Sequence, residues 1–151
     1  MESIHSYLVT SKPVSFDECI AWARLKFEDI FSNQISQLLY NFPKDSITSS
    51  GTPFWSGPKR APEPIVFDPS DPTHMSFIVA ASNLHAFNYG LKGELTQEYF
   101  VKSLQSVIVP EFVPKTGVKI HVSESEAAQG GHVSGKRYSI SSHLIHYVYS
   151  R

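Results

Sequence analysis

A mainly α-helical domain is the fold class this sequence predicts, and three observations predict it. Apolar residues recur at three- and four-residue spacing through four segments, helix-capping residues stand at several of their starts, and prolines or a glycine stand near their ends. The expected architecture is a four-helix core with a long ordered proline-rich wrap and a weakly ordered C-terminal tail. A length of 151 residues suits one domain with its own core. A hydrophobic share of 41% against 18% charged excludes wholesale disorder.

The first helix is predicted over Ser15–Phe31. Ser15 is placed to cap it, and Glu18, three residues on, to complete a capping box. Phe16, Cys19, Ile20, Ala23, Phe27, Ile30 and Phe31 form its apolar stripe, while Asp17, Arg24, Lys26, Glu28 and Asp29 fall mostly off it. A shorter helix follows over Asn33–Phe42 with Ile35, Leu38, Leu39 and Phe42 inward, and Pro43 stops it.

From Pro43 to Pro72 lie seven of the ten prolines, with no helical or strand period. So long a loop in a compact domain needs its own bulky anchors or a function. Phe54 and Trp55 are the expected structural anchors, with Ile65, Val66 and Phe67 in support, burying the segment against the helices. The third helix is predicted over Pro72–Tyr89, with Asp71 as cap, Pro72 at the first helical position and Gly90 in the left-handed closing conformation. Its expected buried stripe is Phe77, Ala80, Ala81, Leu84, Phe87 and Leu91, widened by Met75, Ile78 and Val79. Thr96 is expected to cap a fourth helix over Thr96–Val107 carrying Phe100, Val101, Leu104 and Val107, with Pro110 ending it. Val118–Val122 alternates apolar and polar as a short strand or an extended exit would. Beyond it Ser, Gly and His dominate, and residues 127–151 are expected to be weakly ordered.

Thirteen Lys+Arg against fourteen Asp+Glu leave a net charge of −1, which gives no electrostatic reason to expect nucleic acid or an acidic membrane as a partner. No apolar run reaches the roughly 18 residues of a membrane helix. Cys19 is the single cysteine, so no internal disulfide forms and a reducing compartment, cytosol or nucleus, is the expectation.

Little chemistry is visible in the residues. Cys19 lies on the apolar stripe of the first helix, where burial disfavours the thiolate, so it is expected to be a core thiol and not a nucleophile. The seven histidines lack the cysteine or carboxylate company of a metal site, and no metal is expected. His74 and His85 are about three turns apart on one helix, too far to share an ion. Gly51-Thr52-Pro53-Phe54-Trp55-Ser56-Gly57-Pro58-Lys59-Arg60 fails as a phosphate loop: five residues separate its glycines, Pro53 lacks an N–H, and no Ser or Thr follows the lysine. Lys59 and Arg60 are either a solvated face or a candidate contact for an acidic partner. No catalytic and no cofactor-binding residue is expected in this chain.

Two runs carry a resemblance. Gln37-Leu38-Leu39-Tyr40-Asn41-Phe42-Pro43 is followed by Thr48-Ser49-Ser50-Gly51-Thr52-Pro53-Phe54-Trp55-Ser56-Gly57-Pro58-Lys59-Arg60-Ala61-Pro62, and later Val109-Pro110-Glu111-Phe112-Val113-Pro114-Lys115-Thr116-Gly117-Val118-Lys119-Ile120-His121-Val122-Ser123 appears. With Phe67-Asp68, the helix from His74 to Gly90 and Phe16-Asp17-Glu18-Cys19-Ile20-Ala21-Trp22-Ala23, these closely resemble the ubiquitin-activating enzyme family, from about Tyr7 to Glu126. The resemblance implies part of the second catalytic-cysteine half-domain for residues 1–126, and a tail outside the resemblance for 127–151. It implies a parent enzyme that adenylates the ubiquitin C-terminus with ATP and Mg, carries ubiquitin as a cysteine thioester, and passes it to a conjugating enzyme. The family's catalytic cysteine, followed by threonine, belongs upstream of the matching residues, and the adenylation and ubiquitin-fold domains lie outside them. The chain is thus expected to be an incomplete piece of that enzyme, inactive alone. The alternative is a non-catalytic module binding ubiquitin, a conjugating enzyme or the parent.

Overall fold

The computed structural model describes residues 12–118 and Ile120. They are mainly helical, with no strand among the described residues, and fall into two compact units: residues up to Phe31 with Ile65–Glu111, and Ser32–Pro64 with residues from Phe112 onward.

The first unit holds α1 (Phe16–Glu28), α3 (Pro72–Asn88) and α4 (Gln97–Leu104). Ser15 is extended and its Oγ accepts from the Glu18 N–H at 3.3 Å. The returning Glu18 carboxylate takes the Val14 N–H at 2.8 Å, so the predicted box closes one residue before the cap. A π-helical turn, Asp29–Asn33, follows α1, with helical dihedrals at both Asp29 and Asn33.

At the start of α3 Asp71 Oδ1 accepts from the N–H groups of Thr73 (2.7 Å) and His74 (3.3 Å). At its end Gly90 has φ +69°, its N–H donates to Phe87, and the Leu91 N–H donates to Ala86 at 2.9 Å. This pair of bonds satisfies the last carbonyls of the helix and requires the left-handed residue. Thr96 is the N-cap residue of α4 as predicted, but its hydroxyl makes no capping bond. Glu94 Oε1 instead gathers the Thr96 hydroxyl (2.7 Å) and the N–H groups of Leu95 and Thr96, since a carboxylate is the stronger acceptor.

The buried cluster comprises Ile20, Ala23 and Phe27 of α1, Met75 and Ile78 of α3, and Phe100 of α4. The cluster of this unit draws its buried residues from three helices. Phe27 is its centre, with the rings of Phe31, His74, Phe67 and Phe77 at 4.9, 5.0, 5.1 and 5.6 Å. Phe100 meets Phe16 edge to face at 5.7 Å. From the proline-rich stretch, Ile65 and Phe67 pack against this cluster, whereas Val66 between them is exposed.

Of the predicted face of α3, Met75 and Ile78 are buried and Phe77, Val79 and Ala81 pack against the core, while Ala80, Leu84 and Phe87 require correction. Met75, Ile78, Ser82 and Ala86 are the buried residues, whereas Leu84 is 66% and Phe87 80% exposed, and Ala80 faces solvent. No Asp, Glu, Lys or Arg occurs between Pro72 and Asn88, so apolar spacing alone cannot select a face. Packing on α1 selects it, and Ser82 enters the core because its hydroxyl donates to the Ile78 carbonyl at 2.6 Å.

The second unit contains α2 (Gln34–Asn41), with Ile35 buried and Phe42 as its closing residue. Residues 43–64 follow with a tight turn in which Thr48 N–H donates to the Thr52 carbonyl at 2.8 Å, Gly51 has φ +81°, and Ile47 bridges to Pro53. Residues 112–118 belong to the same unit, where Val118 and Ile120 take no strand conformation. The remainder of the expected strand and the tail, residues 127–151, lie outside the described residues.

Candidate functional site

Cys19 sits one turn into α1 at 0% exposure, its Sγ donating to the Ser15 carbonyl at 3.6 Å. Burial, and secondarily the Glu18 charge, pushes its thiol above the ordinary cysteine value. A protonated, enclosed thiol has neither the charge nor the access that acyl transfer requires.

Phe54 and Trp55 occupy the second unit as the sequence predicts, but each is half-buried. Phe54 stacks on Phe42 at 4.5 Å with 7° between the planes, and Trp55 meets Phe54 edge-on at 4.9 Å. The indole Nε1–H donates to the carbonyl of Phe42 (2.9 Å), the closing residue of α2, and to that of Pro43 (3.1 Å), which also takes the Ser46 N–H. These anchors therefore cap a helix terminus more than they fill a core.

Lys59 and Arg60 separate. The turn Ser56–Lys59, with Gly57 at φ +61° and the Lys59 N–H on the Ser56 carbonyl at 3.1 Å, brings the Lys59 ammonium over the Phe54 ring at 4.9 Å. Arg60, the next residue, is exposed. Gly51 and Gly57 serve turns, and the lysine of this run faces an aromatic ring.

His74 and His85 have separate duties. The His74 Nδ1 accepts from the Asp68 N–H at 3.1 Å, while its ring packs on Phe27 and Phe67. His85 lies flat on Trp22 at 4.0 Å with 3° between planes, and Tyr89 meets it edge-on at 5.0 Å. Burial holds its pKa below the ordinary histidine value. Among the described residues no three His, Cys, Asp or Glu side chains converge as a metal site would require, and no helix is long and apolar enough to cross a membrane.

Two polar arrangements escaped the sequence reading. The Asn83 carboxamide holds the turn before α4, donating to the Glu94 carbonyl (2.8 Å) and accepting from the Glu94 N–H (3.0 Å), and a side chain at Gly93 would collide with it. Gln37 treats Lys115 in the same way in the second unit. The only sequence signal was an amide on a helix, which does not name its partner.

What fold and side chains define is a helical module whose lone thiol is structural and whose polar groups organise its loops. Residues 1–146 match the family described as ubiquitin-activating enzyme, SCCH domain. The chain is 57% identical over 128 residues to ubiquitin-activating enzyme E1 1 of Schizosaccharomyces pombe, covering 85% of this chain and 13% of that protein. It is 62% identical over 117 residues to ubiquitin-like modifier-activating enzyme 1 of Dictyostelium discoideum, covering 78% and 11%. Against the protein of that name from Homo sapiens it is 49% identical over 126 residues, covering 83% and 12%. The chain belongs to the ubiquitin-activating enzyme family, as its SCCH domain. It spans 11–13% of the length of these curated relatives.

Proposed function

We propose that this chain is the helical part of the second catalytic-cysteine half-domain of an enzyme that adenylates ubiquitin with ATP and Mg, carries it as a cysteine thioester and transfers it to a conjugating enzyme. In this reading the chain by itself holds neither the nucleotide site nor the catalytic cysteine, and is inactive alone. One observation carries the second half of the proposal: the only thiol in the sequence is enclosed at 0% exposure on the core face of α1. The family match supports the first half. Residues 43–72 act as an ordered wrap anchored by Phe54 and Trp55, a reading supported by the stacking on Phe42 and the indole hydrogen bonds at the end of α2. Ubiquitin and conjugating enzymes are partners through the parent enzyme, in cytoplasm and nucleus.

The second reading, a non-catalytic module that itself holds ubiquitin, a conjugating enzyme or the parent, rests on Arg60, exposed beside the pinned Lys59. Titration of labelled ubiquitin and of a conjugating enzyme into the chain, with and without ATP, separates the two. The incomplete-enzyme reading expects no saturable binding of either. Binding that is independent of ATP and lost in Arg60→Glu would replace it with the interaction module.

A further inference from the structure

Residues 112–118 are held to α2 through their backbone. Gln37 Nε2 donates to the Lys115 carbonyl at 3.0 Å, and Gln37 Oε1 accepts from the Lys115 N–H at 2.9 Å. One carboxamide thus makes the two bonds that a neighbouring antiparallel strand would make with a single residue. Four residues along the same helix face, Asn41 Nδ2 donates to the Val118 carbonyl at 2.7 Å, and its Oδ1 accepts from Gln37 Nε2 at 2.8 Å. The side chains of Val113, Pro114 and Thr116 face solvent, so few apolar contacts hold the middle of this segment.

We propose that Gln37 is a clasp that keeps the strap 112–118 closed on α2, and that its loss releases the strap while leaving the helices folded. The clasp reads main-chain groups and not side-chain type. A protease also engages the main-chain groups of its substrate, in a strand-pairing manner. While Gln37 occupies both main-chain polar groups of Lys115, the peptide bond after Lys115 is withheld from trypsin.

Native-state trypsin digestion of the full chain, followed by mass spectrometry, tests this, with cleavage after Lys115 measured relative to cleavage after Lys92 in an exposed loop. Gln37→Met removes both bonds at similar volume and is expected to raise that ratio about ten-fold, the effect of losing two hydrogen bonds of ordinary net strength. Gln37→Glu keeps an acceptor for the Lys115 N–H and is expected to fall between wild type and Gln37→Met. Asn41→Ala, which removes the bonds to Val118 and Gln37 but neither bond to Lys115, is expected to change the ratio less than Gln37→Met. Equal ratios in wild type and Gln37→Met would overturn the proposal. So would acceleration that also reaches Lys102 within α4, because Gln37 would then support the fold at large instead of the strap. If Gln37→Met does not fold, Gln37→Ala and hydrogen exchange at the Lys115 amide decide the matter: unchanged protection in Gln37→Ala would refute the clasp.

Discussion

Ser103, in the last turn of α4, donates from its Oγ to Asp17 Oδ1 in the first turn of α1 at 2.7 Å, joining the two helices across 86 residues of sequence. Ser103 is buried, so its hydroxyl depends on this partner. Ser103→Ala is expected to cost about 1 kcal/mol. Asp17→Ala, which removes the acceptor of this buried hydroxyl, is expected to cost about 1–3 kcal/mol. Urea melts of both single variants and the double variant check this, and a coupling energy near zero would show that the bond does not contribute.

The exposure of Leu84 and Phe87 against the burial of Ile78 makes a direct contrast on α3. Ile78→Ala is expected to destabilise by about 2–5 kcal/mol, whereas Phe87→Ser stays within about 0.5 kcal/mol of wild type. Reversal of that order in urea melts would restore the face predicted from apolar spacing.

Trp55 is half-buried and bonded, so Trp55→Ala is expected to cost about 1–3 kcal/mol, below the roughly 3–5 kcal/mol of a fully buried aromatic. Trp55→Phe, which loses only the donor and part of the ring, is expected to cost about 1 kcal/mol. Chemical denaturation followed by circular dichroism distinguishes the two variants.

The stack of His85 on Trp22 predicts a pH dependence. Burial lowers the folded pKa of His85 below the ordinary 6.5, so the unfolded chain binds a proton that the folded chain resists. Stability contributed by neutral His85 is complete above pH 6.5 and is lost as pH falls below it, towards the folded pKa. His85→Phe keeps a ring against Trp22 and cannot titrate. The stability difference between wild type and His85→Phe is therefore expected to move against wild type between about pH 7.5 and 5.5. A constant difference across that window would contradict the assignment. The carboxylates Asp68, Asp71 and Glu94, whose pKa values are lowered by hydrogen bonds to neighbouring residues, act at lower pH.

How much was legible follows from the range of each interaction. Ser15, Asp71 and Gly90 were readable because a cap and its partner lie within a few residues. The core residues of α1 were readable because charges on Asp17, Lys26 and Glu28 mark the opposite side. On α3 no such charges exist, and the buried face depends on what the helix meets. Thr96 was readable as the N-cap residue but not the use of its hydroxyl, because a strong acceptor, Glu94, lies two residues away. Gln37 and Asn83 were illegible because their partners, 78 and 11 residues away, are backbone groups that leave no trace in residue type. Cys19 was legible as a core thiol from its neighbours on the stripe, and Lys59 was not legible as the ring-facing member of its pair.

The central claim is that this chain cannot form a ubiquitin thioester by itself. The measurement is a non-reducing gel of the chain mixed with ubiquitin, ATP, Mg and a full-length ubiquitin-activating enzyme lacking its catalytic cysteine, so that the adenylate is supplied in trans. The account predicts no adduct on this chain, because Cys19 is enclosed and its thiol stays protonated. A band on this chain that disappears on reduction and is missing from Cys19→Ala would contradict it.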